Sequence, residues 1–292
     1  MSIAVAFAGV IIIWATTPLT VKWSSEGPGF LFGVTARMVI AAALCLLLLA
    51  LLRVRLPMHR RALHSYAAAA LGIYGSMMCV YWGAQHVPSG LISVLFGLCP
   101  IMIGALAALW LDEDFTPTKI AGTLIGIAGL ILIFGDGAVM ARAAGWGLIA
   151  VLAGVMLHSV SSVWVKHTNP DMNALALTTG ALMFALPCYL LTFIVFDGQW
   201  PQSLPTRALG SIVYLGAIGS GLGFVLYFYA LRRLAAGRVA LIQLITPVIA
   251  LLLGHELNGE VIGEHELAGT ALILSGLLFY ELGGRIATVL RK

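Results

Sequence analysis

The dominant feature of the sequence is a succession of apolar runs, each about twenty residues long, separated by short polar connections. Of the 292 residues, 61% are hydrophobic and only 10% are charged, whereas roughly 25% of the residues in a soluble domain are charged. So few charged side chains cannot cover a globular core of this size. The sequence therefore excludes a water-soluble enzyme, a disulfide-rich secreted scaffold and a disordered chain as first interpretations.

Apolar runs of this length match the hydrocarbon core of a bilayer, where the backbone must hydrogen-bond to itself. Each run is therefore predicted to be a membrane-spanning helix. The predicted fold class is an all-α polytopic membrane protein with ten transmembrane helices. Spans 1 to 10 are predicted at residues 3–21, 30–52, 66–86, 89–111, 119–135, 145–166, 173–196, 209–231, 238–256 and 266–289. Because residues 1–7 contain no basic residue, span 1 is interpreted as a membrane helix and not as a cleaved signal.

Lysine and arginine are distributed unequally between the two sides of the predicted spans. With a cytoplasmic amino terminus, twelve basic residues lie in cytoplasmic segments and three in outer loops. Because cytoplasmic loops carry an excess of positive charge, we predict that both termini are cytoplasmic. The outer three are Lys22, Arg142 and Arg207, and the cytoplasmic twelve are Arg53, Arg55, Arg60, Arg61, Lys119, Lys166, Arg232, Arg233, Arg238, Arg285, Arg291 and Lys292.

The chain contains an internal repeat of five spans. The residues that match at a shift of 147 are Gly90 with Gly237, Pro100 with Pro247, Glu113 with Glu260, Gly122 with Gly269 and Gly129 with Gly276. At a shift of 144, Lys22 aligns with Lys166 and Trp14 with His158. Because five is odd, the second copy enters the membrane from the opposite side. We therefore predict two inverted five-helix repeats, residues 1–139 and 145–292, around a central cavity.

Inverted repeats are typical of transporters, because two halves related in this way can exchange conformations and open one central site to either side in turn. Pro100 and Pro247 interrupt spans 4 and 9 at matching places, each ten residues after a glycine. The two glycines are Gly90 and Gly237. Paired interruptions indicate a substrate site, so these four positions are predicted to break the helices and to gate the cavity. The alternative is a packing kink without a ligand.

Polar and aromatic residues are concentrated in spans 1, 3, 4, 6, 8 and 9, which we predict to line the cavity. In span 3, Tyr74, Met78 and Tyr81 follow one another at helical spacing and share one face. The alternative for each aromatic residue is contact with lipid or with the membrane interface. The predicted substrate-binding residues are Trp14, Tyr74, Met78, Tyr81, Phe96, His158, Ser161, Trp164 and Gln243.

His158 is the most informative of these residues, because an ionisable group in mid-membrane normally faces a cavity or a partner. A neutral imidazole can bind a carboxylate or an amine, and it can also carry a proton. The alternative is a structural hydrogen bond to Ser161 or to a backbone carbonyl. Arg37, in the outer part of span 2, either attracts anionic substrates or extends to the outer surface.

The sequence gives no sign of a metal, a cofactor or a catalytic group. The four cysteines lie in apolar runs without a CxxC pair and are interpreted as small buried hydrophobic residues: Cys45, Cys79, Cys99 and Cys188. Residues 112–114 form an acidic trio that is interpreted as a solvated turn. No span carries a carboxylate near its centre, which disfavours an acid-driven cation exchanger. We therefore predict no catalytic residue, no metal ligand and no cofactor.

The most specific motifs are the segments LDEDFTPTKIAGTLIGIAG at 111–129 and LNGEVIGEHELAGTALILSG at 257–276. Together with the span order and the prolines of spans 4 and 9, they resemble the paired EamA domains of the drug/metabolite transporter superfamily over nearly the whole chain. Glu113 and Glu260 match the family's acidic residue after spans 4 and 9. Asp112, by contrast, stands where the family usually has a glycine.

Within that superfamily, the length and the aromatic-rich spans are most similar to the bacterial aromatic amino-acid exporters. The resemblance implies a carrier of the bacterial inner (plasma) membrane that exports amino acids, aromatic and other neutral ones, by alternating access. The expected partners are amino acids as substrates and membrane lipid, with no nucleic acid and no required oligomer. Two alternatives stay open: the same fold carrying another metabolite or a drug, and a non-transporting membrane enzyme or scaffold.

Overall fold

The structure is a computed structural model that describes residues 2–111, 116–135, 142–168, 171–234, 239, 242–261 and 263–290. Within these ranges, residues 130, 134–135, 142–144, 243–245, 266 and 281–290 are described by their backbone alone. The regular elements of the described chain are helices, with no strand among them. They are α1 (Ile3–Ser25), α2 (Phe30–Leu51), α3 (Arg60–Gly83), α4 (Ser89–Trp110), α5 (Pro117–Gly135), α6 (Arg142–Thr168), α7 (Ala174–Phe196), α8 (Thr206–Arg233), α9 (Ile242–Asn258) and α10 (Glu264–Leu290).

Seven helices of the described chain are long and apolar enough to cross a membrane: α1 to α4, α7, α8 and residues 145–168 of α6. Their outer faces carry exposed apolar side chains that a soluble protein would cover, such as Leu191, Ile194 and Phe196 of α7. α5 and α10 contain shorter apolar stretches, Pro117–Ile133 and Leu267–Tyr280. The chain is therefore a multi-pass, all-helical membrane protein.

Two of the helices contain π-helical turns, which are Leu71–Ser76 in α3 and Leu215–Leu222 in α8. A π turn inserts an extra residue into the helical repeat and rotates the faces that follow it, and such turns are frequent at functional sites. α3 also begins at Arg60, earlier than the predicted span, because the His59 side chain accepts a hydrogen bond from the Ala62 N–H (3.3 Å) and caps a polar first turn.

The prolines of α4 and α9 have different structural consequences. α4 is interrupted at residues 97–98, between the segments Ser89–Phe96 and Cys99–Trp110, and Pro100 lies in the first turn of the second segment. The N–H groups of a first helical turn have no acceptor within the helix, so the missing N–H of Pro100 costs no hydrogen bond there. The break predicted in span 9 is wrong, because α9 runs through Pro247 from Ile242 to Asn258. A packed helix tolerates an interior proline by giving up one hydrogen bond and bending.

The helices pack so that the first five contact the last five along their length. α1 lies against α8 and α9, α2 against α7 and α8, and α3 against α6 and α7. The first segment of α4 packs on α9 and its second segment on α6, whereas α5 packs mainly on α10. This arrangement leaves a cavity between the two sets of helices.

Candidate functional site: a central cavity between the helices

The cavity has a volume of about 70 Å³, which is room for roughly five water molecules. Seven helices contribute to its wall, represented by Trp14 of α1, Arg37 of α2, Met77 of α3, Phe96 of α4, His158 of α6, Phe224 of α8 and Thr246 of α9. The sequence predicted six of these helices and missed α2. No described residue of α5, α7 or α10 lines the cavity.

His158 lies within a group of aromatic rings beside the cavity. Its ring centroid is 5.9 Å from those of Trp14 and Phe96 and 5.5 Å from that of Tyr227. The imidazole is 7% exposed, and its Nε2 atom has no hydrogen-bond partner among the described residues. A buried polar atom without a protein partner is costly, so this nitrogen is available to bind a water molecule or a ligand.

The hydrogen bond considered between His158 and Ser161 is not formed. Ser161 instead donates to the backbone carbonyl of Ala68 at 2.7 Å and so joins α6 to α3. The neighbouring Ser162 shares a hydrogen bond of 2.8 Å with the hydroxyl of Tyr227. Ser161 therefore ties α6 to α3, and together with His158 it lines a second, smaller void.

Arg37 is the charged group of the cavity wall, and it does not extend to the surface. Its side chain is 1% exposed. The Nε atom donates to the Ser220 hydroxyl at 3.0 Å, and a terminal nitrogen donates to the Tyr81 hydroxyl at 3.1 Å. The guanidinium carbon also lies 5.4 Å from the centroid of the Tyr81 ring. Arg37 is thus held in place by α3 and by the π turn of α8.

Several residues predicted to bind substrate lie outside the cavity wall. The Tyr74 hydroxyl shares a hydrogen bond of 2.6 Å with Thr192 of α7. The Tyr81 hydroxyl accepts a hydrogen bond from Arg37, which lines the cavity where Tyr81 does not, and Met78 packs against the apolar core. Trp164 is 37% exposed on the outer surface of α6. Of the residues predicted to bind substrate, Trp14, Phe96 and His158 line the cavity.

The remaining predicted positions are described only in part. Gln243 is helical, but its side chain lies outside the described atoms, and Gly237 lies outside the described residues. Gly90 allows close packing of α4 on α9, since a Cβ atom there would lie 2.9 Å from the Cα of Leu251. Pro100 and Pro247 are buried, and neither lines the cavity.

At one end of the helices, a set of residues that we call the Glu260 cluster joins α1, α4 and α9. Its members are Lys22, Ser89, Gly90, Asn258 and Glu260. One carboxylate oxygen of Glu260 accepts from Lys22 Nζ (3.1 Å) and Asn258 Nδ2 (2.9 Å). The other oxygen accepts from the Ser89 N–H (2.8 Å), the Ser89 hydroxyl (2.9 Å) and the Gly90 N–H (3.4 Å).

The electrostatics of this cluster keep Glu260 ionised. Burial raises the pKa of its carboxyl, but the hydrogen bonds from Ser89, the charge of Lys22 and the hydrogen bond from Asn258 together lower the pKa below its ordinary value. The carboxylate also lies at the amino-terminal end of α4, where the helix dipole favours negative charge. The cluster therefore forms a charged clamp between the first and second halves of the chain at neutral pH.

The sequence profile of the EamA-like transporter family matches the chain twice, over residues 1–135 and 145–281. The chain belongs to this family. This EamA-type chain is therefore a transporter and a multi-pass membrane protein.

Relatives of this EamA-type chain are named as transporters. One from Streptantibioticus cattleyicolor, named "Probable terminal-alkyne amino-acid exporter", is 28% identical and covers 91% of this chain and 92% of its own length. The "Uncharacterized inner membrane transporter YedA" of Escherichia coli is 26% identical, and the match covers 95% of this chain and 90% of the length of YedA. A crystal structure at 21% identity has the same fold, with a TM-score of 0.70 over 98% of this chain and 99% of that one.

Besides α2, sequence reasoning missed two further features of the site in this EamA-type chain. Tyr227 of α8, whose ring centroid is 4.8 Å from that of Trp14, was not among the predicted residues. The available signal was its position one helical turn after the glycines at 219, 221 and 223, in a span that was predicted to line the cavity. The carboxylate of Glu260 was recognised as a family motif, but its partners lie 238 and 171 residues away and carry no local signal.

Proposed function

We propose that this chain is a carrier of the bacterial inner membrane that exports amino acids, aromatic and other neutral ones, by alternating access. The observation that carries the proposal is the cavity between the two halves, with the rings of Trp14 and Phe96 and the unpartnered Nε2 of His158 at its wall. Aromatic walls suit an aromatic side chain, and a few polar groups suit a zwitterion. Family membership and the name of the Streptantibioticus relative support amino acids as the cargo.

We further propose that the ten helices form two inverted repeats, residues 1–139 and 145–292. Contacts between α5 and α10 support this relation. A Cβ atom at Gly122 would lie 2.6 Å from the carbonyl oxygen of Gly276, and one at Gly129 would lie 2.6 Å from that of Gly269. Because the repeat aligns Gly122 with Gly269 and Gly129 with Gly276, a two-fold rotation exchanges these two contacts.

Other features agree with the same two-fold relation. Trp14 and His158 align in the repeat, and their rings touch across the cavity, as expected for equivalent residues beside the axis. The π turns of α3 and α8 begin at Leu71 and Leu215, 144 residues apart. The packing of α1 on α9 likewise matches that of α6 on α4.

In this proposal, the Glu260 cluster is the outer gate. The charge distribution predicts cytoplasmic termini, which puts Lys22 and Glu260 on the outer side. The cluster joins α1 and α4 of the first half to α9 of the second, so its contacts must break when the outer side opens.

The size of the cavity is consistent with a closed or nearly closed conformation. A volume of about 70 Å³ holds several waters but not an indole ring with its zwitterion. Rocking of the two halves about the axis near Trp14 and His158 would widen the cavity toward one side. Broad selectivity among neutral amino acids follows, because few polar groups line the wall. Transport of this kind requires no catalytic residue, metal, cofactor or oligomer.

Counterflow in proteoliposomes tests the proposal. Vesicles preloaded with unlabelled tryptophan are expected to accumulate external labelled tryptophan transiently and saturably, whereas vesicles without protein or without preload do not. Unlabelled leucine should compete, while a nucleobase or a quaternary ammonium ion should not. A membrane enzyme or a scaffold would give no counterflow. Absence of flux from folded, inserted protein would contradict the assignment of amino acids as the cargo. Competition by a nucleobase or an organic cation, without competition by leucine, would instead identify that compound class as the cargo.

A further inference from the structure

The charge of Arg37 is not balanced by any acid in the described part of the chain. A guanidinium stays protonated in proteins and offers five N–H donors. The described ion pairs involve Lys22, Arg207 and Arg232, and none involves Arg37. Burying an unpaired charge is expensive in a protein and more so within a membrane. An unpaired charge in a cavity wall is therefore a candidate site for a ligand of opposite charge.

The neighbours of Arg37 position its charge without neutralising it. Arg37 donates to the Tyr81 hydroxyl, which can in turn donate to Ser24 at 3.1 Å, and Ser24 donates to the carbonyl of Val21 at 2.7 Å. In this series of hydrogen bonds, the hydroxyls of Tyr81 and Ser24 each have an acceptor, and every group beyond Arg37 is neutral. Ser220 accepts from the Nε atom and fixes the other edge of the guanidinium.

The cavity wall as a whole has the same imbalance. Arg37 and His158 are its ionisable members, and no aspartate or glutamate is among its described lining residues. A low-dielectric cavity with one fixed positive charge favours an anion or the carboxylate end of a zwitterion, and it disfavours a free cation. An arginine fork also matches the planar geometry of a carboxylate.

We propose that Arg37 is the carboxylate-binding residue of this transporter, so that its cargo must carry a carboxylate and cationic amines are excluded. This inference rests on the proposed function and extends it. The free N–H donors of the guanidinium bind the α-carboxylate, and the apolar side chain of the substrate extends toward Trp14 and Phe96. The assignment makes α2, which was not among the spans predicted to line the cavity, the helix that selects the class of substrate.

The first test compares ligands on the unmodified protein. Tryptophan and indole-3-propionate share the carboxylate, whereas tryptamine has the same ring and the amine without the carboxylate. Indole-3-propionate is expected to inhibit tryptophan counterflow, and tryptamine should require a concentration about 10- to 100-fold higher, as for the loss of a charge-assisted hydrogen bond. Equal inhibition by tryptamine would overturn the assignment of Arg37.

The second test changes the residue. Arg37→Gln should reduce tryptophan counterflow by about 10- to 100-fold, and Arg37→Lys should retain part of it because the charge remains while the fork is lost. The control is Arg207→Gln, which removes an exposed arginine that pairs with Glu26 and should leave the flux unchanged. Unchanged flux in Arg37→Gln would contradict the proposal.

A third measurement separates this inference from the proposed function. If the unmodified protein shows no tryptophan flux, the amino-acid assignment fails, and carboxylate binding is then measured by thermal stabilisation with indole-3-propionate. A rise in melting temperature in the unmodified protein that is smaller in Arg37→Lys and absent in Arg37→Gln supports the carboxylate site. No rise in the unmodified protein, or the same rise in the variants, overturns it. If Arg37→Gln does not fold, the ligand comparison and Arg37→Lys decide.

Discussion

Replacing Glu260 by glutamine is expected to release the outer gate and to abolish most of the transport. The neutral amide keeps the shape of the side chain but loses the ion pair to Lys22, and its nitrogen is a donor that cannot accept a hydrogen bond from Ser89 or from Lys22. Hydrogen bonds to a charged group contribute about 1.5 to 3 kcal/mol each. Losing even one such contribution shifts the closed-to-open ratio about 10- to 100-fold toward the outward-open state.

The measurement uses a cysteine introduced in place of Ser93, which lines the cavity, in a variant whose four native cysteines are replaced by serine. The rate of modification by a membrane-impermeant thiol reagent added outside should rise at least about tenfold in Glu260→Gln, and tryptophan counterflow should fall. Glu26→Gln is the matched control, because Glu26 also forms an ion pair, with Arg207, but its side chain is 41% exposed. Exposed ion pairs contribute little, so both readouts should stay unchanged. Unchanged modification in Glu260→Gln would show that the cluster is not a gate.

Replacing Gly276 by alanine is expected to destabilise the packing of α5 on α10. The added Cβ atom would lie 2.6 Å from the carbonyl oxygen of Gly122 and 2.7 Å from the backbone nitrogen of Gly126. Backbone atoms cannot move aside as a flexible side chain can, so the two helices must separate. Close approach at small residues is what holds membrane helices together, and overpacking of this kind costs about 1 to 3 kcal/mol.

The check is the thermal unfolding temperature of the detergent-purified protein. Gly276→Ala should lower it by several degrees, and Gly276→Leu should lower it further or prevent recovery of folded protein. Gly210→Ala is the matched control, because a Cβ atom at Gly210 of α8 meets no atom within 4 Å. It should leave the unfolding temperature unchanged or raise it, since alanine favours helix over glycine. Equal unfolding temperatures for the two alanine variants would contradict the close contact.

The positions of the helices were predictable from the sequence, because membrane helices need long apolar runs and the backbone has no alternative pairing in lipid. Family membership was predictable from the motifs around Glu113 and Glu260. The broken helix at Pro100 followed from the chemistry of proline, but the same reasoning gave a wrong break at Pro247. Whether a proline interrupts a helix depends on the packing around it, which the local sequence does not contain.

The lining of the cavity was less predictable, for a geometric reason. The spacing of Tyr74, Met78 and Tyr81 assumes a regular helix, whereas Tyr74 lies within the π turn of α3, which rotates the face. Periodicity also identifies a shared face without showing which helix covers it, and Tyr74 is covered by α7. The sequence left two interpretations of Arg37 open, attraction of anions and extension to the surface. The side chain is only 1% exposed, because Ser220 and Tyr81 hold it inside, and both residues are distant from Arg37 in the sequence.

We expect one cavity between the two halves to open to each side in turn. The most direct measurement is the modification of cysteine at position 93 by an impermeant thiol reagent added separately to each side of oriented vesicles, with and without tryptophan. A cysteine in place of Ser159, which is fully buried and outside the cavity wall, is the control and should react from neither side. The cysteine at position 93 is expected to react from both sides, and tryptophan is expected to slow the reaction on each. Reaction from one side alone, whether or not tryptophan is present, would contradict it.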